Sequence, residues 1–175
     1  MASDRAQLGQ LGEQLVADWL QQDGWQIVAQ RWHCRWGELD IVGYGDRPRP
    51  TLIFVEVKTR SPQNWDADGR LAITPQKQAK IIQTAELFLS EQPQWSEADA
   101  RFDVAIVQGV RRHPIKQHPR RTVEPLNENA VNHSIQNYSI QNRSIQPTIR
   151  LGTPTHRDDY RLTLQDYIPA AFGEL

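Results

Sequence analysis

Apolar residues at Leu8, Leu11, Leu15 and Trp19 follow a helical period. They predict a helix over residues 4–23, with Ser3 or Asp4 as its cap and Gly24 as its stop. Three strand patterns come next: "WQIVAQRW" (25–32), the alternating "GELDIVGYG" (37–45) and "TLIFVEVKTR" (51–60). The proline-rich stretch from Arg47 to Pro50 links the last two. After a loop over 61–73, Thr74-Pro75 opens a second helix. Its apolar stripe is Ile81, Ile82, Ala85, Phe88 and Leu89, and Pro93 limits its end. "RFDVAIV" (101–107) predicts a fourth strand with Phe102, Val104 and Ile106 on one face. The order α-β-β-β-α-β predicts an α/β domain, a central mixed β-sheet flanked by helices.

After Val107 the pattern breaks. From Gly109 to about Arg157 proline, asparagine, glutamine and arginine dominate, and "HSIQNYSIQNRSIQP" (133–147) repeats a five-residue unit three times. Isolated isoleucines cannot build a core, so 109–157 is expected to be a flexible low-complexity insertion. Periodicity returns in "YRLTLQDYIPAAF" (160–172), which predicts one more strand and a short terminal helix. The expected organisation is a domain over 1–108, the insertion over 109–157, and a segment over 158–175 that completes the domain.

Composition agrees with this division. Charged residues make up 23% of the 175-residue chain against 38% hydrophobic, which suits a chain with part of its length outside the core. The net charge of −1 gives no bulk attraction to nucleic acid, so any such binding needs a local patch. Cys34 is the only cysteine, which excludes an internal disulfide and a cysteine zinc cluster. No stretch approaches the roughly 20 apolar residues of a membrane span, and the N-terminus shows no signal-like apolar core. The expectation is a cytoplasmic protein with no membrane partner.

The third strand then poses a chemical question. Alternation places Glu56, Lys58 and Arg60 on one face and Val55, Val57 and Thr59 on the other. A solvated sheet face and a catalytic site both account for such a row. The second strand carries Glu38 and Asp40 on one face, with Leu39 and Ile41 opposite, and ordinary hairpin register brings Asp40 near Glu56 and Lys58. Adjacent carboxylates repel unless a cation lies between them. Mg²⁺ or Mn²⁺ suits the site, because a hard ion accepts one or two carboxylates and keeps waters and phosphate as its other ligands. Asp40, Glu56 and the Val57 carbonyl are the expected metal ligands, and Lys58 the group that orients or deprotonates the attacking water. Glu13, off the leucine stripe and behind Gly9 and Gly12, is a further acid able to border the cleft.

"GELD", a short spacer and "FVEVKTR" resemble the PD-(D/E)xK nuclease superfamily, with Asp40 as the first acid and Glu56-Val57-Lys58 as the ExK. "LGEQLVADWLQQDGW", "QKQAKIIQTAELFL" and "RFDVAIV" narrow the resemblance to the YraN-like uncharacterised protein family 0102. That family is similar in pattern to Holliday-junction resolvases. The resemblance covers residues 6–107 and weakly the last fifteen. It implies a restriction-endonuclease-like layered fold and a divalent-metal-dependent endonuclease acting on DNA phosphodiester bonds, on branched or repair intermediates. It also raises a homodimer, because symmetric cutting of two strands needs two sites, though no dimer surface is legible. Two departures stand out: the 109–157 segment is long, and Leu39 replaces the proline before Asp40. The alternative is a nuclease fold that grips nucleic acid or a repair partner without cutting it.

Other residues stay open between function and surface. Lys77 and Lys80 suit either phosphate contact at a helix N-terminus or a solvated helix face. Arg60 suits a phosphate contact or a salt bridge to Glu38. Trp32 and Trp36 suit stacking on unpaired bases or core packing. "RRHPIKQHPRR" (111–121) reads as a basic patch or a solvated linker.

Overall fold

The computed structural model describes residues 2–46, 48–61, 73–112 and 148–173. Helix α1 (Ala2–Gln22) is followed by β1 (Gln26–Cys34), β2 (Gly37–Gly45) and β3 (Thr51–Arg60). Helix α2 (Pro75–Glu91), a short 3-10 turn (Pro93–Trp95) and β4 (Asp99–Arg111) come next, then β5 (Pro154–Arg157) and β6 (Tyr160–Ile168). The six strands form one mixed sheet in the order β1-β2-β3-β4-β6-β5. Only β3 and β4 are parallel, with α2 as the crossover between them.

Both helix boundaries have local causes. Gly24, with φ +95°, ends α1 as its N–H donates to the Gln21 carbonyl and the Trp25 N–H to Leu20, the paired bonds of a glycine C-cap. Thr74 caps α2 by accepting the Lys77 N–H at 3.3 Å, with Pro75 in the first turn.

Each helix covers one face of the sheet. Leu15, Val16, Ala17 and Leu20 of α1 pack on Ile41, Ile53, Val55, Ala105 and Val107. Ile81, Ala85 and Phe88 of α2 pack on the other face, against Leu39, Val42, Leu52, Phe54, Phe102, Val104 and Ile106. The central strands are buried on both faces, as a parallel pair under two helical layers must be.

Three expectations need correction. Strand β4 continues through Arg111, past the point where its composition changes, because β6 pairs with it from Val104 to Arg111. Residues 148–157 belong to the domain: Ile149 is buried, β5 pairs with β6, and Arg157 reaches Asp18 of α1 at 2.6 Å. A four-residue edge strand held by backbone bonds and one ion pair has no apolar pattern to reveal it. The terminal helix is absent among the described residues. Instead the Ala170 N–H donates to Asp103 and the Ala171 N–H to the Phe102 carbonyl, while Phe172 stacks on Phe102. Positive φ at Ala170 and Gly173 is incompatible with a right-handed helix there. The repeat over 133–147, and with it most of the expected insertion, lies outside the described residues. No described helix is long and apolar enough to cross a membrane.

Candidate active site

Strands β2 and β3 separate at the site. Their ladder runs from Gly45–Thr51 to Ile41–Val55 and stops one residue short of Asp40 and Glu56. Past that point the Asp40 carboxylate takes over the role of the missing backbone acceptor, receiving the Val57 N–H at 2.7 Å. Strict alternation puts Leu39 and Ile41 on one face, yet Leu39 lies in the α2-side core and Ile41 in the α1-side core. The neighbouring strand is irregular at the same point. Arg31, the register partner of Asp40 between Gln30–Ile41 and Trp32–Leu39, has φ +52°, a left-handed conformation in an edge strand.

Four carboxylates come within electrostatic reach of one another: Glu13, Glu38, Asp40 and Glu56. Three have cations. Arg31 lies 3.6 Å from Glu13, and His33 lies 3.1 Å from Glu38. Glu56, only 6% exposed, receives Lys58 at 2.6 Å on one oxygen and Lys77 at 3.3 Å on the other. Asp40 is 8% exposed and, among the described residues, is the one of the four with no basic side chain paired to it. Burial, and after it the Glu56 charge, push its carboxyl up to about 7 against the lowering effect of the Val57 N–H. Glu13 is also raised, chiefly by burial, with Arg31 opposing and Glu38 and Glu56 adding to the rise.

Glycine packing brings Glu13 into this group. A Cβ on Gly12 would sit 2.0 Å from the Thr59 Oγ1, so only glycine lets α1 approach the end of β3 this closely. Gly9, the other glycine expected to permit close approach, has open space around it.

The sequence-derived candidates therefore divide. Asp40, Glu56, Val57, Lys58, Glu13 and Lys77 come together. Arg60 does not pair with Glu38, which takes His33 instead. Lys80 is exposed on α2, one turn beyond Lys77. Trp32 packs edge-on against Phe88 in the core, while Trp36 stays 41% exposed with the Arg35 guanidinium 4.7 Å over its ring. Arg31 was not anticipated. Counting back from the two-residue turn at 35–36 does place it opposite Asp40, but nothing in "AQRWHC" announces its left-handed backbone.

Among the described residues no three His, Cys, Asp or Glu side chains converge as a closed metal cage requires. An open site with two carboxylates is a different matter, and hard oxygen donors suit Mg²⁺ or Mn²⁺ there.

The family model described as uncharacterised protein family UPF0102 matches residues 12–107. A UPF0102 protein of Acaryochloris marina is 43% identical over 97% of this chain and 92% of its own length. One from Synechocystis is 41% identical over 95% of this chain and 97% of its own. A third, from Thermosynechococcus vestitus, is 53% identical over 59% of this chain and 82% of its own.

Proposed function

From the premise that the chain belongs to uncharacterised protein family UPF0102, we propose that it is a divalent-metal-dependent endonuclease that hydrolyses phosphodiester bonds in DNA, on branched or repair intermediates. The fold that goes with this reading is the restriction-endonuclease-like layering, with an ExK motif at the end of a central strand and one helix on each face. One observation carries it: Asp40 is buried among three other carboxylates without a cation of its own.

Asp40 and Glu56 would hold Mg²⁺ or Mn²⁺, with the Val57 carbonyl. The N–H and C=O of an extended residue point to the same side, and the Val57 N–H points at Asp40, where the β2–β3 ladder has ended. The ion when bound supplies Lewis-acid polarisation of the phosphate and a more acidic water. Lys58, with its side chain 32% exposed, orients that water and faces the negative charge that grows on the phosphorus oxygens. Lys77 meets the phosphate from the start of α2, where the helix dipole also favours an anion. Lys80 and Arg60 contact the flanking backbone. Cutting two strands symmetrically asks for a homodimer.

A second reading has its own observation. Both Glu56 oxygens are already engaged by lysines, which suits a nuclease fold that binds nucleic acid or a repair partner without cutting. Labelled linear, flapped and four-way DNA, incubated with and without Mg²⁺ or Mn²⁺, separates the two. Metal-dependent cleavage that Asp40→Asn abolishes supports the endonuclease; binding with no cleavage under either metal supports the second reading.

A further inference from the structure

The Arg35–Trp36 turn lies at the end of the sheet that holds the carboxylates, since it joins β1 to β2 just ahead of Asp40. Among the described residues Trp36 and Leu151 are the two exposed large hydrophobic side chains. Trp32, four residues earlier, is accounted for by the core, whereas Trp36 is 41% exposed and carries the guanidinium of Arg35 over its ring. Arginine over an exposed indole is a flat cationic surface, with a π-face for a base and a charge for its phosphate.

Helix α2 connects this surface to the site. Lys77, Lys80 and Thr84 share one helix face. Lys77 is at Glu56 and Lys80 is exposed, while Thr84, fully buried, marks where the helix passes the turn: its hydroxyl comes within 3.2 Å of where a Cβ on Gly37, the residue after Trp36, would lie. The seven steps from Lys77 to Thr84 span about 10 Å at ~1.5 Å per residue. That is about three nucleotides at the ~3.4 Å rise of a stacked strand.

We infer that the Arg35–Trp36 turn is a stacking platform for an unpaired base, reached by a single nucleic-acid strand that runs from the carboxylates along the Lys77–Lys80 face of α2. The inference rests on the proposed nucleic-acid function and sharpens it: the substrate has an unpaired stretch about three nucleotides from the phosphate at Glu56 and Lys58. In a continuous duplex the bases are stacked on one another and have no free face to offer Trp36.

The test is binding of fluorescent dT20, U20 and a 20-base-pair duplex to the full chain in EDTA, where no cleavage occurs. Trp36→Ala is expected to weaken single-strand binding by about 5- to 100-fold, the scale of one lost base–aromatic stack. Trp36→Phe should keep most of the affinity, Leu151→Ala all of it, and duplex affinity should stay within about twofold. The stronger of the dT20 and U20 arms identifies which of the two strands, DNA or RNA, the platform prefers. Three results overturn the platform: single-strand affinity unchanged in Trp36→Ala, an equal loss on duplex, or no single-strand binding by the wild type. Failure of the endonuclease reading looks different. It is Trp36-dependent binding in EDTA with no cleavage when Mg²⁺ or Mn²⁺ is restored, and it leaves the platform standing.

Discussion

Replacing Asp40 by asparagine removes a charge without removing the acceptor that the Val57 N–H uses, because the amide oxygen is still there. The effect on stability then comes from ionisation alone. An ordinary aspartate near 3.8 raised to about 7 corresponds to roughly 4 kcal/mol at ~1.36 kcal/mol per tenfold step. The direction follows from linkage: a carboxyl with a higher folded than unfolded value weakens the fold as it ionises. The penalty is nearly absent below pH 4, grows between pH 4 and 7, and is complete above pH 7. Local relaxation and salt reduce it, so ~2–4 kcal/mol is expected at pH 8. At roughly 2–4 °C per kcal/mol, Asp40→Asn should melt some 4–16 °C above wild type at pH 8, and within about 2 °C of it at pH 4. Mg²⁺ at about a hundred times its Kd should return ~2.7 kcal/mol to the wild type at pH 8 and nothing to the mutant. Calorimetry at both pH values, with and without the ion, measures all four quantities. A mutant less stable than wild type at pH 8, together with a wild type indifferent to Mg²⁺ and Mn²⁺, would refute the reasoning and leave a structural salt-bridge network in its place.

Lys58→Ala is expected to lower cleavage by about 10²-fold or more while DNA affinity changes little, which single-turnover kinetics beside a binding isotherm will show. Asp103 is fully buried and accepts from Arg101 twice, from the Tyr167 hydroxyl and from the Ala170 N–H, so Asp103→Ala should cost ~3–5 kcal/mol by urea melting, with no selective effect on metal binding. Exchanging 113–147 for a glycine–serine linker of a dozen residues should leave the melting temperature within about 2 °C, because the described sheet and helices make the core on both faces without it; a large loss would show that the segment packs.

The strands legible in the sequence were those with apolar residues on alternate or consecutive positions. β2 and β3 have the bounds that "GELDIVGYG" and "TLIFVEVKTR" suggest, and Phe102, Val104 and Ile106 share a face as read. The pairing of Asp40 with the Glu56 end of β3 was legible for the same reason, since hairpin register follows from counting. Three things were not. β5 is held by an edge ladder and Arg157–Asp18, and neither leaves a period in four residues. The left-handed Arg31 is a backbone state imposed by tertiary context, and no propensity favours it at an arginine. Asp103 read as one polar residue in an apolar strand. Its donors come from Arg101 and from Tyr167 and Ala170, more than sixty residues away, so its burial could not be foreseen locally.

The pairing of β6 with the outer edge of β4 has a consequence for biosynthesis. From Val104 to Arg111 that edge is closed by residues synthesised about 50 to 65 positions later, a delay of roughly 2–13 s at ~5–20 residues per second. Through that interval the nascent protein carries an open, apolar strand edge in the middle of its future sheet, and such an edge is a template for pairing with another chain. The matched stretch from 12 to 107 ends before the cover arrives. A chain terminated at Arg112 would carry every candidate catalytic residue and still be prone to aggregate, so the last two strands act as an edge guard.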